Sequence, residues 1–197
     1  MYPPIAIANH FIRLATEQGV KDLSSRKLQD LLYCAHGWSL GITRQPLLAD
    51  EVLAGEAGPY IAAVAEVAEG YGTRHISDEL PAIQLGDRDD APVQSAPPRL
   101  AAGAPVERIL GITWKAFGQL SAFELSRIVK AAGGPWDQIW NRPEREGRDP
   151  TPIELARIQR WFMELAEKNR RRTQAKTVQD TQRIASEFID TKQLRPV

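Results

Sequence analysis

Between Ser24 and Ile42 the chain reads SSRKLQDLLYCAHGWSLGI, a stretch with more apolar residues than one helix face can hold. Leu28, Leu31, Leu32 and Ala35 recur at helical spacing and form one stripe. Tyr33, Trp38 and Leu40 widen that stripe, which predicts a helix buried on more than one side. Ser24 is positioned to cap its first turn, and Leu23 with Leu28 forms the pattern of a hydrophobic staple. The fold must therefore supply neighbours on several sides of this segment.

The same stretch holds a Tyr, a Cys, a His and a Trp in six residues, Tyr33 to Trp38, so a chemical site has to be weighed against a core. Residues two apart on a helix point about 200° apart, so Cys34 and His36 do not face each other as nucleophile and base. His10 and His75 lack the clustered thiols or carboxylates of a zinc site. Cys34 reads as a small core residue, His36 as a hydrogen-bonded structural histidine, and Tyr33 to Trp38 as core. No catalytic residue, cofactor site or metal site is expected. A single cysteine also excludes an internal disulfide.

The rest of the chain predicts a mostly α fold: one compact helical domain with a minor short β element and a C-terminal helical extension. Residues 3–18 read as a first helix, started by Pro3 and Pro4 and ended by Gly19. Short extended segments are expected near Leu47 and over residues 51–56, then a helix opening at Gly58-Pro59 with Ile61, Val64, Ala65 and Ala68 inward, then a short strand over 73–77. Five prolines among small and polar residues mark 81–105 as an exposed, irregular variable loop. A helix is expected over 105–120. Ser121-Ala-Phe-Glu124 reads as a capping box opening another, with Phe123, Leu125, Ile128 and Val129 inward, and Gly133-Gly134 ending it. Thr151-Pro152-Ile153-Glu154 reads as a second capping box before a long helix. Residues 1–140 form the expected domain and 141–197 the extension.

Composition excludes several functions. Hydrophobic residues make up 43% and charged residues 25%, with zero formal net charge. Nothing global favours capture of a polyanion. No apolar run approaches the roughly 20 residues of a membrane span, and the first residues lack a signal-peptide pattern, so a cytoplasmic protein is expected. The neutrality hides an asymmetry: residues 1–150 carry 15 Lys+Arg against 19 Asp+Glu, and residues 151–197 carry 10 against 6. The basic excess includes KNRRR, Lys168 to Arg172, which reads as a cation-favoured helix end with phosphate contact as the alternative. No phosphate loop, nucleophile elbow or dinucleotide fingerprint occurs.

KLQDLLYCAHGWSL, then EAGPY, then LSRIVKAAGGPW occur in that order, and the set resembles the Panacea domain of the SocA-like, phage-associated antitoxin family. The matching positions are Lys27, Leu28, Gln29, Leu32, Tyr33 and Trp38, then Gly58 and Pro59, then Leu125, Ser126, Pro135 and Trp136. The resemblance implies a structural role for these residues, with Lys27 and Gln29 bracing the Gly-Pro loop. It also implies an antitoxin that binds and neutralises a co-encoded toxin and, in the SocA type, delivers it to a protease. The partner-binding residues expected in the unshared extension are Trp161, Phe162, Arg170, Arg171, Arg172, Phe188 and Ile189. The competing readings are a nucleic-acid-binding regulator using the basic C-terminal segment, and a hydrolase with a cleft near Glu51–Pro59 that would hold a perturbed carboxylate.

Overall fold

The computed structural model of the chain describes residues 1–84, 93–142 and 149–171. Helix α1, Pro4–Glu17, starts on proline and buries Ile7, Phe11, Ile12 and Ala15 along one face. Gly19 follows it with φ 66°, a left-handed value that lets the chain turn into the next helix. Helix α2, Ser25–Thr43, is the enclosed element that the sequence demands: an unbroken run from Lys27 to Gly37 is buried. Its N-terminus is capped by the Ser24 hydroxyl, which accepts from the Lys27 N–H at 3.3 Å.

Two short strands follow, β1 at Leu53–Gly55 and β2 at Gly58–Tyr60, paired antiparallel so that Gly55 faces Gly58 across a two-residue turn. The helix expected at Gly58-Pro59 therefore begins later, as α3 at Ala62–Ala68, followed by a 3-10 turn at Glu69–Tyr71. The reason is local: Gly58 has φ 135°, a value outside the helical region that a side chain rarely adopts. Ile61, Val64 and Ala68 point inward as the periodicity requires. No strand forms over 73–77; that strap is held instead by the Ile76 N–H donating to the Leu23 carbonyl at 2.8 Å, with Ile76 fully buried.

Within the proline-rich segment, β3 at Ala82–Gln84 pairs antiparallel with β4 at Val93–Ser95. This hairpin was not foreseen from composition. Its base is tied to the body by Asn9, which is fully buried on α1. The Asn9 side-chain amide donates to the Leu80 carbonyl at 2.9 Å and the Pro98 carbonyl at 3.1 Å, and its oxygen accepts from the Leu80 N–H at 2.7 Å.

Helix α4, Glu107–Phe117, and helix α5, Ala122–Val129, close the other sides of α2. The α5 capping box is present, with Ser121 accepting from the Glu124 N–H and Glu124 accepting from the Ser121 N–H. Leu125 and Val129 are buried, but Phe123 and Ile128, expected inward, are 72% and 44% exposed. An eight-residue helix presents a single narrow stripe, and the i, i+4 pair Leu125 and Val129 occupies it. After α6, Asp137–Trp140, the chain returns as β5, Thr151–Pro152, on the free edge of β1, giving the order β2-β1-β5. The expected capping box at Thr151 is thus spent on strand pairing, and α7 spans residues 155–171. Ile153, Ile158 and Phe162 join the same core as α2.

Asn9→Ala should lower stability by about 2–3 kcal/mol, because three backbone groups at Leu80 and Pro98 would lose a partner. Chemical denaturation of the purified variant checks this.

Candidate functional site

The three sequence motifs converge on the β1–β2 hairpin. Gln29 reaches across from α2 and pairs with both backbone groups of Ile61, accepting from its N–H at 2.9 Å and donating to its carbonyl at 3.2 Å. Trp136 donates its indole N–H to the Gly55 carbonyl at 2.8 Å. Its ring stacks on Trp140 at 6.2 Å, and the Lys130 ammonium lies 5.6 Å from its centroid. Arg26 donates to the Pro59 carbonyl at 2.7 Å and ion-pairs with Asp30. A Cβ on Gly58 would stand 3.2 Å from the Arg26 guanidinium, closer than an ordinary contact, and the φ of 135° already favours glycine there. Pro135 sets Trp136 at the start of α6, and Leu28, Leu32 and Tyr33 are buried in the core.

Gln29, expected to brace the Gly-Pro loop, pairs with Ile61, two residues beyond Pro59. Lys27 turns the other way: fully buried, it donates to Asp22 at 2.7 Å and braces the entry to α2 instead. Arg26, not singled out from the sequence, takes the role expected of Lys27. The signal available was the Arg26–Asp30 spacing of four, which places the opposite charges on one helix face.

The titratable groups of α2 are set by enclosure. Burial pushes Asp30 up to about 6, against the pull of the Arg26 guanidinium. Its side chain is fully buried, so this raised carboxylate near the hairpin is closed to a substrate. Burial, with the Asp30 charge adding, holds the Cys34 thiol well above its ordinary range, which leaves it unreactive. Burial also raises the Tyr33 phenol and lowers His36 to about 4. His36 Nδ1 accepts from the Leu48 N–H at 3.2 Å, so the imidazole is a neutral acceptor that fixes the loop before β1. Among the described residues no group of three or more His, Cys, Asp or Glu is placed to hold a metal, and no helix is long and apolar enough to cross a membrane.

The second part of the site is the seat of α7. Phe162 packs where α2 has no side chains: a Cβ on Gly37 would fall 2.2 Å from its ring, and one on Gly41 would fall 2.9 Å from its backbone carbon. Its ring meets Tyr33 and Trp38 edge-on at centroid distances of 5.7 and 5.3 Å. The two glycines, four apart, were legible as a close-approach face and were missed. Phe162 is 4% exposed and faces inward, whereas Trp161 is half-buried. Trp38, expected in the core, is also only partly buried, because α7 covers one side of its ring and solvent meets the other.

Beside the Phe162 seat, α2, α5 and α7 enclose an apolar groove of about 460 Å³, with Tyr33, Cys34 and Trp38 as floor and Ile128, Trp161 and Leu165 as walls. Farther along α7, Arg170 and Arg171 are exposed and both pair with Glu167, at 2.5 and 2.9 Å. Arg172, Phe188 and Ile189 lie outside the described residues.

Residues 28–137 match the family model described as "Antitoxin SocA-like, Panacea domain". That span holds Gln29, Ile61, Gly55 and Trp136, both ends of the two hairpin locks, and stops before α7. Over 141 residues the chain is 31% identical to the antitoxin SocA of Caulobacter vibrioides, covering 70% of each protein. No solved structure matches the chain significantly.

Gly37→Ala should displace Phe162 and loosen α7, at a cost of about 1–3 kcal/mol. A red shift of tryptophan emission, from fuller hydration of Trp38 and Trp161, would accompany it.

A second expectation concerns pH. The folded pKa of Asp30, about 6, lies above the ordinary 3.8, so its contribution is complete below 3.8 and is lost as pH rises through 6. His36 runs the opposite way: at about 4 its folded pKa lies below 6.5, so its contribution is present above 6.5 and is lost as pH falls through 4. The two largely offset each other between pH 4 and 6.5. Asp30→Asn removes one arm, so urea unfolding should show wild type gaining on the variant by on the order of 2–3 kcal/mol between pH 7 and pH 4.

Proposed function

The chain belongs to the SocA-like, Panacea-domain antitoxin family, and from that premise we propose that it neutralises a co-encoded toxin by binding it directly, with residues 151–197 supplying most of the contact. The observation that carries this reading is the open apolar groove whose one wall is α7. Its floor and other wall belong to the span shared with the family, and α7 lies outside that span. A body common to many antitoxins that exposes apolar surface next to an unshared helix fits a general scaffold whose specificity is added by the helix.

Three residues make the groove suitable for a protein partner. Trp38 and Trp161 offer large aromatic surface that is only partly covered, and Ile128 is 44% exposed beside them. Aromatic anchors of this kind dominate the energy of protein interfaces. The neighbouring Phe123 extends the exposed apolar surface along α5. Phe162 contributes indirectly: seated on Gly37 and Gly41, it fixes α7 so that Trp161 lines the groove. A non-enzymatic role fits this reading, since the raised carboxylate Asp30 and the thiol Cys34 are both buried away from any substrate, and burial keeps the thiol protonated.

The test is growth rescue and direct titration with the co-encoded toxin. Trp161→Ser with Ile128→Ser should fold, since both side chains reach solvent, yet weaken toxin binding by about 100-fold or more, the scale of two interface anchors. Truncation after Glu167 should also reduce neutralisation. Full-strength neutralisation by both proteins would assign the interface to residues 1–140.

A further inference from the structure

Beyond the Phe162 crossing, the C-terminal end of α2 and the last turns of α7 form a second trough, of about 850 Å³. Its character differs from that of the apolar groove. Ile42, 51% exposed, and Met163 are its large apolar residues. Around them stand five cations, Arg44, Arg160, Lys168, Arg170 and Arg171, against two carboxylates, Glu164 and Glu167. Arg170 and Arg171 are both engaged by Glu167. Arg44, Arg160 and Lys168 make no side-chain hydrogen bond or ion pair among the described residues. Arg44 is held at the mouth by backbone geometry: it ends α2 with φ 64°, its N–H bonded to the Leu40 carbonyl at 3.2 Å.

We infer that this trough takes an acidic segment of the toxin, with carboxylates at Arg44, Arg160 and Lys168 and an aliphatic side chain against Ile42 and Met163. The inference rests on the toxin-binding reading and adds the chemistry of the partner. Charge complementarity carries it: three exposed cations without internal partners surround a small apolar patch on the helix already argued to face the toxin. A nucleic acid fits less well. Glu164 and Glu167 interrupt the positive field, and the trough has no aromatic side chain on which a base could stack. Met163, unbranched and adaptable, suits an aliphatic contact instead.

The experiment titrates the full chain with the purified co-encoded toxin, and separately with a labelled single-stranded RNA and a labelled peptide of alternating Glu and Leu. Two variants are used. Arg160→Gln/Lys168→Gln removes charge without strain on the helix, and Arg160→Glu/Lys168→Glu reverses it. Toxin affinity should fall about tenfold in the first and about 100-fold in the second, with the melting transition unchanged and the salt dependence of binding reduced. Unchanged affinity in both variants, while Trp161→Ser/Ile128→Ser still weakens binding, would overturn the trough and leave the toxin-binding reading intact. RNA binding that is lost on charge reversal, with toxin affinity unaffected, would overturn it in favour of nucleic acid. If the wild type binds no toxin, the proposed function falls, and failure of the acidic peptide to bind would then dispose of the trough as well.

Discussion

Most polar side chains on an enclosed helix have to find a partner within the protein, and α2 carries many, of which the Tyr33 hydroxyl is buried without one among the described residues. Lys27, Gln29, Asp30, His36 and Ser39 are all buried on it. Each finds a partner in a different part of the chain: Asp22 before the helix, Ile61 after the hairpin, Arg26 one turn back, the loop at Leu48, and the carbonyl of Gln45. Burying these groups unpaired would cost on the order of several kcal/mol each. The enclosure of α2 therefore dictates where the loops run, and the loops fix the hairpin that the family motifs share.

The same enclosure explains why residues that look chemical are inert. Desolvation moves the acid Asp30 up and the base His36 down, so both favour the neutral form. Cys34 and Tyr33 follow the same rule. Three of these groups are held neutral and the fourth, Asp30, is ion-paired with Arg26, an arrangement suited to holding a core together. Outside this core, α7 lies across the two glycines of α2.

That crossing divides the surface of α7 into two kinds of contact. One flank borrows aromatic and aliphatic surface from α2 and α5, and the other gathers cations around Ile42 and Met163. In the proposed interface the apolar anchors would set lifetime, and the charged rim would set encounter rate and partner choice. Phe162 lies at the junction and contacts no solvent to speak of, so it works by positioning its neighbours.

Much of this was legible in the order of residues. The periodicity of Leu28 to Leu40 determined an enclosed helix, Ser24 and Ser121 determined two helix starts, and the ordered motifs pointed to the family. These features are local, because they depend on spacing within one or two turns of helix. Gly58-Pro59 was misread as a helix start because strand pairing with Gly55, a partner that sequence spacing does not specify, outweighed the helical signal of proline. Thr151 was lost to β1 for the same reason. Phe123 and Ile128 were assigned inward because their spacing allowed it, whereas only the position of α2 decides which stripe of a short helix is covered. The pairing of Gln29 with Ile61 across 32 residues, the seat of Phe162 on Gly37 and Gly41, and the gathering of Arg44 with Arg160 and Lys168 are tertiary outcomes. Each joins residues distant in sequence, and which distant residues meet is decided by packing the whole chain around α2.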